Sequence, residues 1–244
     1  MLSIKNLTVS TEANKIIRGL DLELKPKEIM TVFGPNGSGK STLLNAIAGI
    51  PNYTVKGEMT FNGKDILKLP IEKRAKIGIV LGFQQPTEIT GIKLRKLLEI
   101  CAGHEELTED EKHLIAKLKM TEFLDRDINV HFSGGEKKRA EILQLLFMKP
   151  KVLLLDEPDS GVDIESLKII ASEIQNYVSK SGAAAILVTH QGAILDYIKS
   201  DRGCVLINGK FACHEEPKKI FELITKQGYG ACIKCEHSEH GKRN

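Results

Sequence analysis

At 244 residues, 41% of them hydrophobic, the chain is long enough to bury one sizeable core with room for a small inserted subdomain. Lys and Arg number 35 against 32 Asp and Glu, and no long basic run occurs, so charge gives no reason to expect a nucleic-acid partner. The longest apolar runs, IGIVLGF and AAAILV, fall well short of the roughly 18 residues of a membrane-spanning helix, which argues against direct membrane insertion.

The first stretch, MLSIKNLTVS, alternates polar and apolar residues and lacks the continuous apolar segment of a secretion signal. Five scattered cysteines, an odd number in a chain of this length, fit reduced thiols better than a disulfide framework. Together these features lead us to expect a cytoplasmic protein.

In chain order, LSIKNLTV and LDLELK read as half-exposed strands by their alternation, whereas EIMTVF, IGIVLGF, VLLLDE and AAAILVTH read as strands buried on both faces. Between the first of these buried strands and a predicted helix, KSTLLNAIAG, lies FGPNGSGKST. Gly34 to Ser41 fit the phosphate-loop pattern G-x-x-x-x-G-K-[ST] in the strand-to-helix context it requires. Gly37 and Gly39 let the backbone wrap closely around a polyphosphate. Lys40 supplies charge at the β and γ phosphates, and the Ser41 hydroxyl can ligate Mg²⁺. Gly34, Pro35, Asn36, Ser38 and Thr42 complete the predicted ATP-binding loop.

From about Gln84 to Phe132 the buried-strand signal stops and helices take over: KLRKLLEICAG, then TEDEKHLIAKLKM, opened by the capping-box pair Thr108 and Glu111. Then comes HFSGGEKKRAEIL, a second glycine-rich helix start. Ser133 and Glu136 form S-x-x-E, so a helix cap explains it without a ligand. The other reading is a second phosphate contact at a helix N-terminus.

VLLLDE places acids at the carboxyl end of a buried strand, where α/β folds put ligands. Asp156 is the candidate Mg²⁺ ligand. Glu157, which strand alternation turns in another direction, is the candidate for polarising an attacking water. The helix DIESLKIIASEIQNYVSK follows, with Ile164, Leu167, Ile170 and Ile174 along one face. VLINGKFA holds Asn208 and Gly209 at a hairpin turn, PKKIFELITKQG begins with Pro217 at a first helical position, and the last fifteen or so residues read as polar and mobile. Within them ACIKCEHSEH brings Cys232, Cys235, His237 and His240 into nine residues. A tail zinc site and exposed thiols both remain open readings. The fold class is α/β with a mainly parallel central sheet.

The phosphate loop, FSGGE, VLLLDEP and VTH occur in the order and at the gaps of the ABC-type ATPases, and the chain resembles that family over nearly its whole length. The resemblance implies a P-loop NTPase of ABC type, with an N-terminal antiparallel β subdomain and an inserted helical subdomain. It implies one ABC ATPase domain: a catalytic core of 1–83 and 146–216, a helical subdomain of 84–145, and a C-terminal helix and tail of 217–244. It further implies that Ser133, Gly134 and Gly135 meet the γ-phosphate held by a second copy of the chain. Gln84 would sense Mg²⁺ and water, Asp163 would belong to a loop crossing the dimer, and His190 would contact the γ-phosphate. One departure is Thr11 in LTVST, where the family usually has an aromatic ring for adenine; Ile16 or other apolar contacts are the substitutes expected.

FQQPTEITGIK, SGGEKKRAEILQ, DSGVDIESLK, ILDYIKSD and KQGYG are similar to the ATPase subunits of the SUF iron–sulfur cluster assembly system. That branch implies SufB- or SufD-like scaffold partners docking on the helical insertion and its Gln84 loop. The ATPase subunit of a membrane transporter, and a nucleotide switch without turnover, are the alternative readings.

Overall fold

The structure is a computed structural model and describes residues 1–83 and 86–235. Gln84, His237 and His240 therefore lie outside the described residues. β1 (Leu2–Ser10) and β2 (Lys15–Leu24) form a hairpin, followed by β3 (Ile29–Phe33) and α1 (Lys40–Ala48). β4 (Thr54–Phe61) and β5 (Lys64–Asp65) extend the hairpin into a four-stranded antiparallel sheet, ordered β2-β1-β4-β5. α2 (Ile71–Lys76) leads to β6 (Ile79–Gly82). β7 (Ile89–Lys93), α3 (Leu94–Ala102), α4 (Glu109–Lys117), β8 (Asp127–Ile128) and α5 (Gly134–Phe147) make up the helical region. β9 (Val152–Asp156), α6 (Ile164–Ser181), β10 (Ala184–Val188), β11 (Arg202–Ile207), β12 (Lys210–Glu215), α7 (Pro217–Gln227) and α8 (Gly230–Cys235) complete the chain.

The central sheet runs β12-β11-β3-β10-β9-β6, parallel throughout except for the antiparallel edge strand β12. Its strands are continuous apolar runs because both faces are covered. Along β9, Leu153 and Leu155 enter one hydrophobic cluster with α5 and α6, while Val152 and Leu154 enter another with α1 and the antiparallel sheet. The parallel ends of β3, β9 and β10 thus converge on one rim.

Local signals in the sequence set several boundaries. Thr108 Oγ1 accepts from Glu111 N at 3.3 Å while Glu111 Oε2 accepts from Thr108 N at 2.9 Å, closing the capping box of α4. Asn208 and Gly209 take φ of 50° and 76°, joining β11 to β12 in a tight hairpin turn.

Three expectations need correction. Ile164, the first residue of α6, is 66% exposed, whereas Leu167, Ile170 and Ile174 are buried, so the buried apolar face begins at Leu167. A two-stranded antiparallel ribbon, β7 with β8, lies within the stretch where helices are expected to take over, β7 being an exposed strand without the buried-strand signal. And the C-terminal stretch is ordered through α8, where Cys232 is fully buried beside Phe33, Val205 and Ile220, as core rather than as part of an exposed tail.

Candidate functional site

The loop after β3 is shaped by glycine. Gly37 and Gly39 have φ of 76° and 105°, left-handed values that side chains rarely adopt, and a Cβ on Gly39 would lie 2.9 Å from Ile17 Cδ1. A Cβ on Gly34 would lie 2.4 Å from the Leu206 carbonyl oxygen. The loop delivers Lys40 as the first residue of α1, a helix with no side-chain cap and no acid in its first turn, so its N–H groups and dipole face the cleft uncompensated. Lys40 Nζ donates to the carbonyls of Gly34 and Pro35 at 2.7 and 3.1 Å. Burial lowers the pKa of its ammonium, opposed by the charges of Glu157 and Asp156.

Asn36, Gly37, Gly39, Lys40, Ser41 and Thr42 share one cleft of about 640 Å³ with Ile16, Glu157, Ser160 and His190. Asp156 ends β9 beneath it. Its carboxyl is pushed above the usual range by burial, resisted by a hydrogen bond from Ser41 and reinforced by Glu157. Asp156 Oδ1 is buried without a hydrogen-bond partner. A hard carboxylate oxygen without a donor, next to a serine hydroxyl, fits a Mg²⁺ ion carried in with a polyphosphate.

Glu157 faces the cleft for a different reason than strand alternation. β9 stops at Asp156, and Glu157 takes φ 51°, a left-handed turn that swings the carboxylate across the strand end. Its amide donates to Val188 O at 3.0 Å, tying it to β10. Glu157 Oε1 then lies 3.1 Å from His190 Nδ1.

Ser133, Gly134, Gly135 and Asp163 lie together outside this cleft. Ser133 Oγ accepts from Glu136 N at 3.3 Å and Glu136 Oε2 accepts from Ser133 N at 2.7 Å, so the capping box is formed. Glycine is required here for a further reason. A Cβ on Gly134 would lie 2.6 Å from Gly161 O, and one on Gly135 would lie 2.4 Å from Asp163 Oδ2. Asp163 itself caps α6, Oδ1 accepting from Ser166 N at 2.8 Å, and the hydrogen bonds from Ser166 hold its carboxyl below the usual range. The exposed serine turn and the 160–163 loop therefore pack as one surface.

Thr11 sits in the β1–β2 turn, its Oγ1 accepting from Asn14 N at 3.3 Å, and is not among the cleft residues. Ile16 is the aliphatic side chain lining the cleft.

Two clamps escaped the sequence reading. Buried Asp159 accepts from Thr189 Oγ1 at 2.7 Å, and Thr189 Oγ1 accepts from the amides of Gln191 and Gly192 at 3.2 and 3.1 Å, fixing the turn that carries His190. On α5, Lys138 and Glu141 form a buried pair at 3.0 Å that grips Phe83: Lys138 Nζ donates to Phe83 O at 2.7 Å and Phe83 N donates to Glu141 Oε1 at 2.6 Å. Burial raises the Glu141 pKa, with the Lys138 charge opposing. The available signals were a third acid in DEPD, a hydroxyl before the histidine in VTH, and opposite charges three apart on an otherwise apolar helix face.

Residues 17–160 match the ABC transporter family. With a phosphate loop, an acidic strand end and a histidine turn around one cleft, the chain belongs to that family and is one of its ATPase subunits. Among relatives, it is 43% identical to the probable ATP-dependent transporter SufC of Escherichia coli (strain K12), the match covering 94% of this chain and 98% of that one. It is 42% identical to a probable ATP-dependent transporter of Synechocystis sp., covering 94% of each. The fold is likewise that of a nucleotide-free ATP-binding cassette from an ABC transporter, at 26% identity and TM-score 0.77 over 91% of this chain and 94% of that one. A second cassette, solved in its ADP conformation, gives 25% identity and TM-score 0.77 over 98% and 99%.

Proposed function

We propose that this chain is the Mg²⁺-dependent ATPase of an iron–sulfur cluster assembly machine, pairing with a second copy on ATP and driving a conformational change in a SufB- or SufD-like scaffold. Residues 1–83 and 146–216 serve as its catalytic core and 84–145 as its helical subdomain, and the chain works in the cytoplasm without entering a membrane. The observation that carries the pairing is the position of Ser133 to Gly135: a helix N-terminus, packed on the 160–163 loop, with Ser133 and Gly134 exposed and Gly135 buried, that does not line the chain's own cleft. Its N–H groups suit the γ-phosphate of ATP held by a partner copy.

Within one copy, the loop from Gly34 to Thr42 wraps the phosphates and Lys40 offsets their charge. Ser41 and Asp156, joined by Gln84 from outside the described residues, would hold Mg²⁺, which neutralises charge at the phosphates. Glu157 accepts a proton from the attacking water, and His190 orients that carboxylate while reaching the γ-phosphate. Asp163 contributes by fixing the serine turn against the crossing loop.

An apolar groove of about 400 Å³ between α2, β6 and the helical region, with Phe83, Ile89 and Met148 exposed, suits the docking of a scaffold element. The likeness to SufC supports an iron–sulfur scaffold as that partner. The names of the relatives, probable ATP-dependent transporters, support a second reading in which the groove receives a membrane transporter. Purification of the untagged chain from its native cells tests both. Co-purification of a soluble SufB- or SufD-like protein is expected, and a polytopic membrane protein in its place would establish the second reading.

A further inference from the structure

The C-terminal helices touch both segments that handle the nucleotide. Phe221, on α7, stacks on Phe33 with ring centroids 6.4 Å apart and planes at 27°; Phe33 is the last residue of β3, immediately before the phosphate loop. The same ring also meets Gly192. A Cβ on Gly192 would lie 2.5 Å from Phe221 Cδ2 and Cε2, and Gly192 takes φ 69°. The residue thus has to be glycine both for its backbone and for the ring resting on it. Gly192 closes the turn held by Thr189 and Asp159, and that turn carries His190. Further along, between α7 and α8, Tyr229 packs against the cluster that holds Phe33; burial raises the pKa of its hydroxyl, opposed by an interaction with the backbone of Gly34, the first residue of the phosphate loop. Cys232 and Ile220 seat this segment against Phe33 and Val205 in one buried cluster.

We propose that α7 and α8 form a brace for ATP hydrolysis, in which Phe221 is a positioning residue for the His190 turn and Tyr229 is a positioning residue for the phosphate loop. The inference rests on the reading of the cleft as the ATP site, and not on the identity of the scaffold. Phe221 bears on the histidine turn, which acts at the chemical step. Tyr229 bears on the loop, which acts in binding. The two residues therefore have separable signatures, because a small misplacement of a reacting group is felt in turnover and a misplaced binding loop is felt in affinity.

Steady-state ATP hydrolysis by the full-length chain tests this. Phe221→Leu, which keeps apolar bulk but loses the flat ring, should lower kcat about 10-fold and leave KM for ATP within about 2-fold. Tyr229→Phe, which removes one hydroxyl, should raise KM about 5-fold and leave kcat within about 2-fold. A purely structural role would reduce the active fraction and so lower kcat alone in both variants; that pattern, or no change in either, overturns the brace. Hydrogen exchange of the wild-type chain with and without ATP and Mg²⁺ is independent of how well the variants fold. ATP should slow exchange in residues 217–235 by about 3-fold or more, by the reciprocity of coupled sites. Protection of residues 34–42 without any over 217–235 overturns the brace alone. Protection of neither segment overturns the ATP-site reading with it.

Discussion

Glu157 Oε1 and His190 Nδ1 lie 3.1 Å apart, joining the ends of two neighbouring parallel strands over the phosphate loop. The carboxylate is thereby aimed into the cleft instead of along its own strand. Glu157→Gln keeps the shape while removing the carboxylate's charge and its capacity to take a proton. Turnover should fall ~10²-fold or more with ATP binding retained, as initial rates and calorimetric titration would report. A variant that hydrolyses ATP at the wild-type rate would remove Glu157 from the chemistry.

The serine turn gives a prediction that separates packing from capping. Gly135→Ala forces a methyl to within 2.4 Å of Asp163 Oδ2 and 2.5 Å of Ser166 Oγ, so it should cost about 1–3 kcal/mol as overpacking. Ser133→Ala only deletes the cap and should cost about 0.5–2 kcal/mol. Denaturant melts should rank them in that order, and both monomers should still bind ATP.

Asp156 sets a pH dependence. A carboxyl whose folded pKa is raised, here first by burial, binds more protons folded than unfolded. Its contribution to stability therefore falls as pH rises from the unfolded value of about 3.9 through the folded one, and stays low above it. Asp156→Asn should make the nucleotide-free chain melt higher than wild type at pH 7, by about 2–4 °C per kcal/mol recovered, with the gap closing toward pH 4. The same variant should lose the effect of Mg²⁺ on ATP affinity. A lower melting temperature at pH 7 would contradict the assignment.

Arg74 is a structural test. It is buried at 2% exposure and donates to the carbonyls of Ala46, Ile47, Leu67 and Leu69, each at 2.8 Å, satisfying the end of the phosphate-loop helix α1. Arg74→Ala leaves these acceptors without their donor and should cost about 3 kcal/mol, visible as a shifted denaturant midpoint with the slope unchanged.

What could be read from the chain alone was what is local. Lys40, Ser41 and Asp156 are tied to short patterns whose meaning depends on the adjacent strand and helix, and the capping boxes at Thr108 and Ser133 need only four residues each. What could not be read depends on distant contacts. Glu157 turns by a left-handed residue that no periodicity encodes. The glycines at 134 and 135 answer to a loop more than twenty positions away, and nothing local in IEKRAK separates Arg74, which reaches the end of α1, from the charged residues around it. Cys232 misled because a second cysteine and two histidines follow it within eight positions, while its neighbours in space are Phe33 and Ile220.

The backbone of Glu157 carries a last consequence. A non-glycine residue at φ 51° costs about 1–3 kcal/mol, so the fold is strained at the residue proposed to do the chemistry. Glycine there would relax the chain and silence it. Attempts to harden this protein by selecting for heat resistance alone should drift toward that substitution, and thermal endurance and catalytic competence would then part company at a single position.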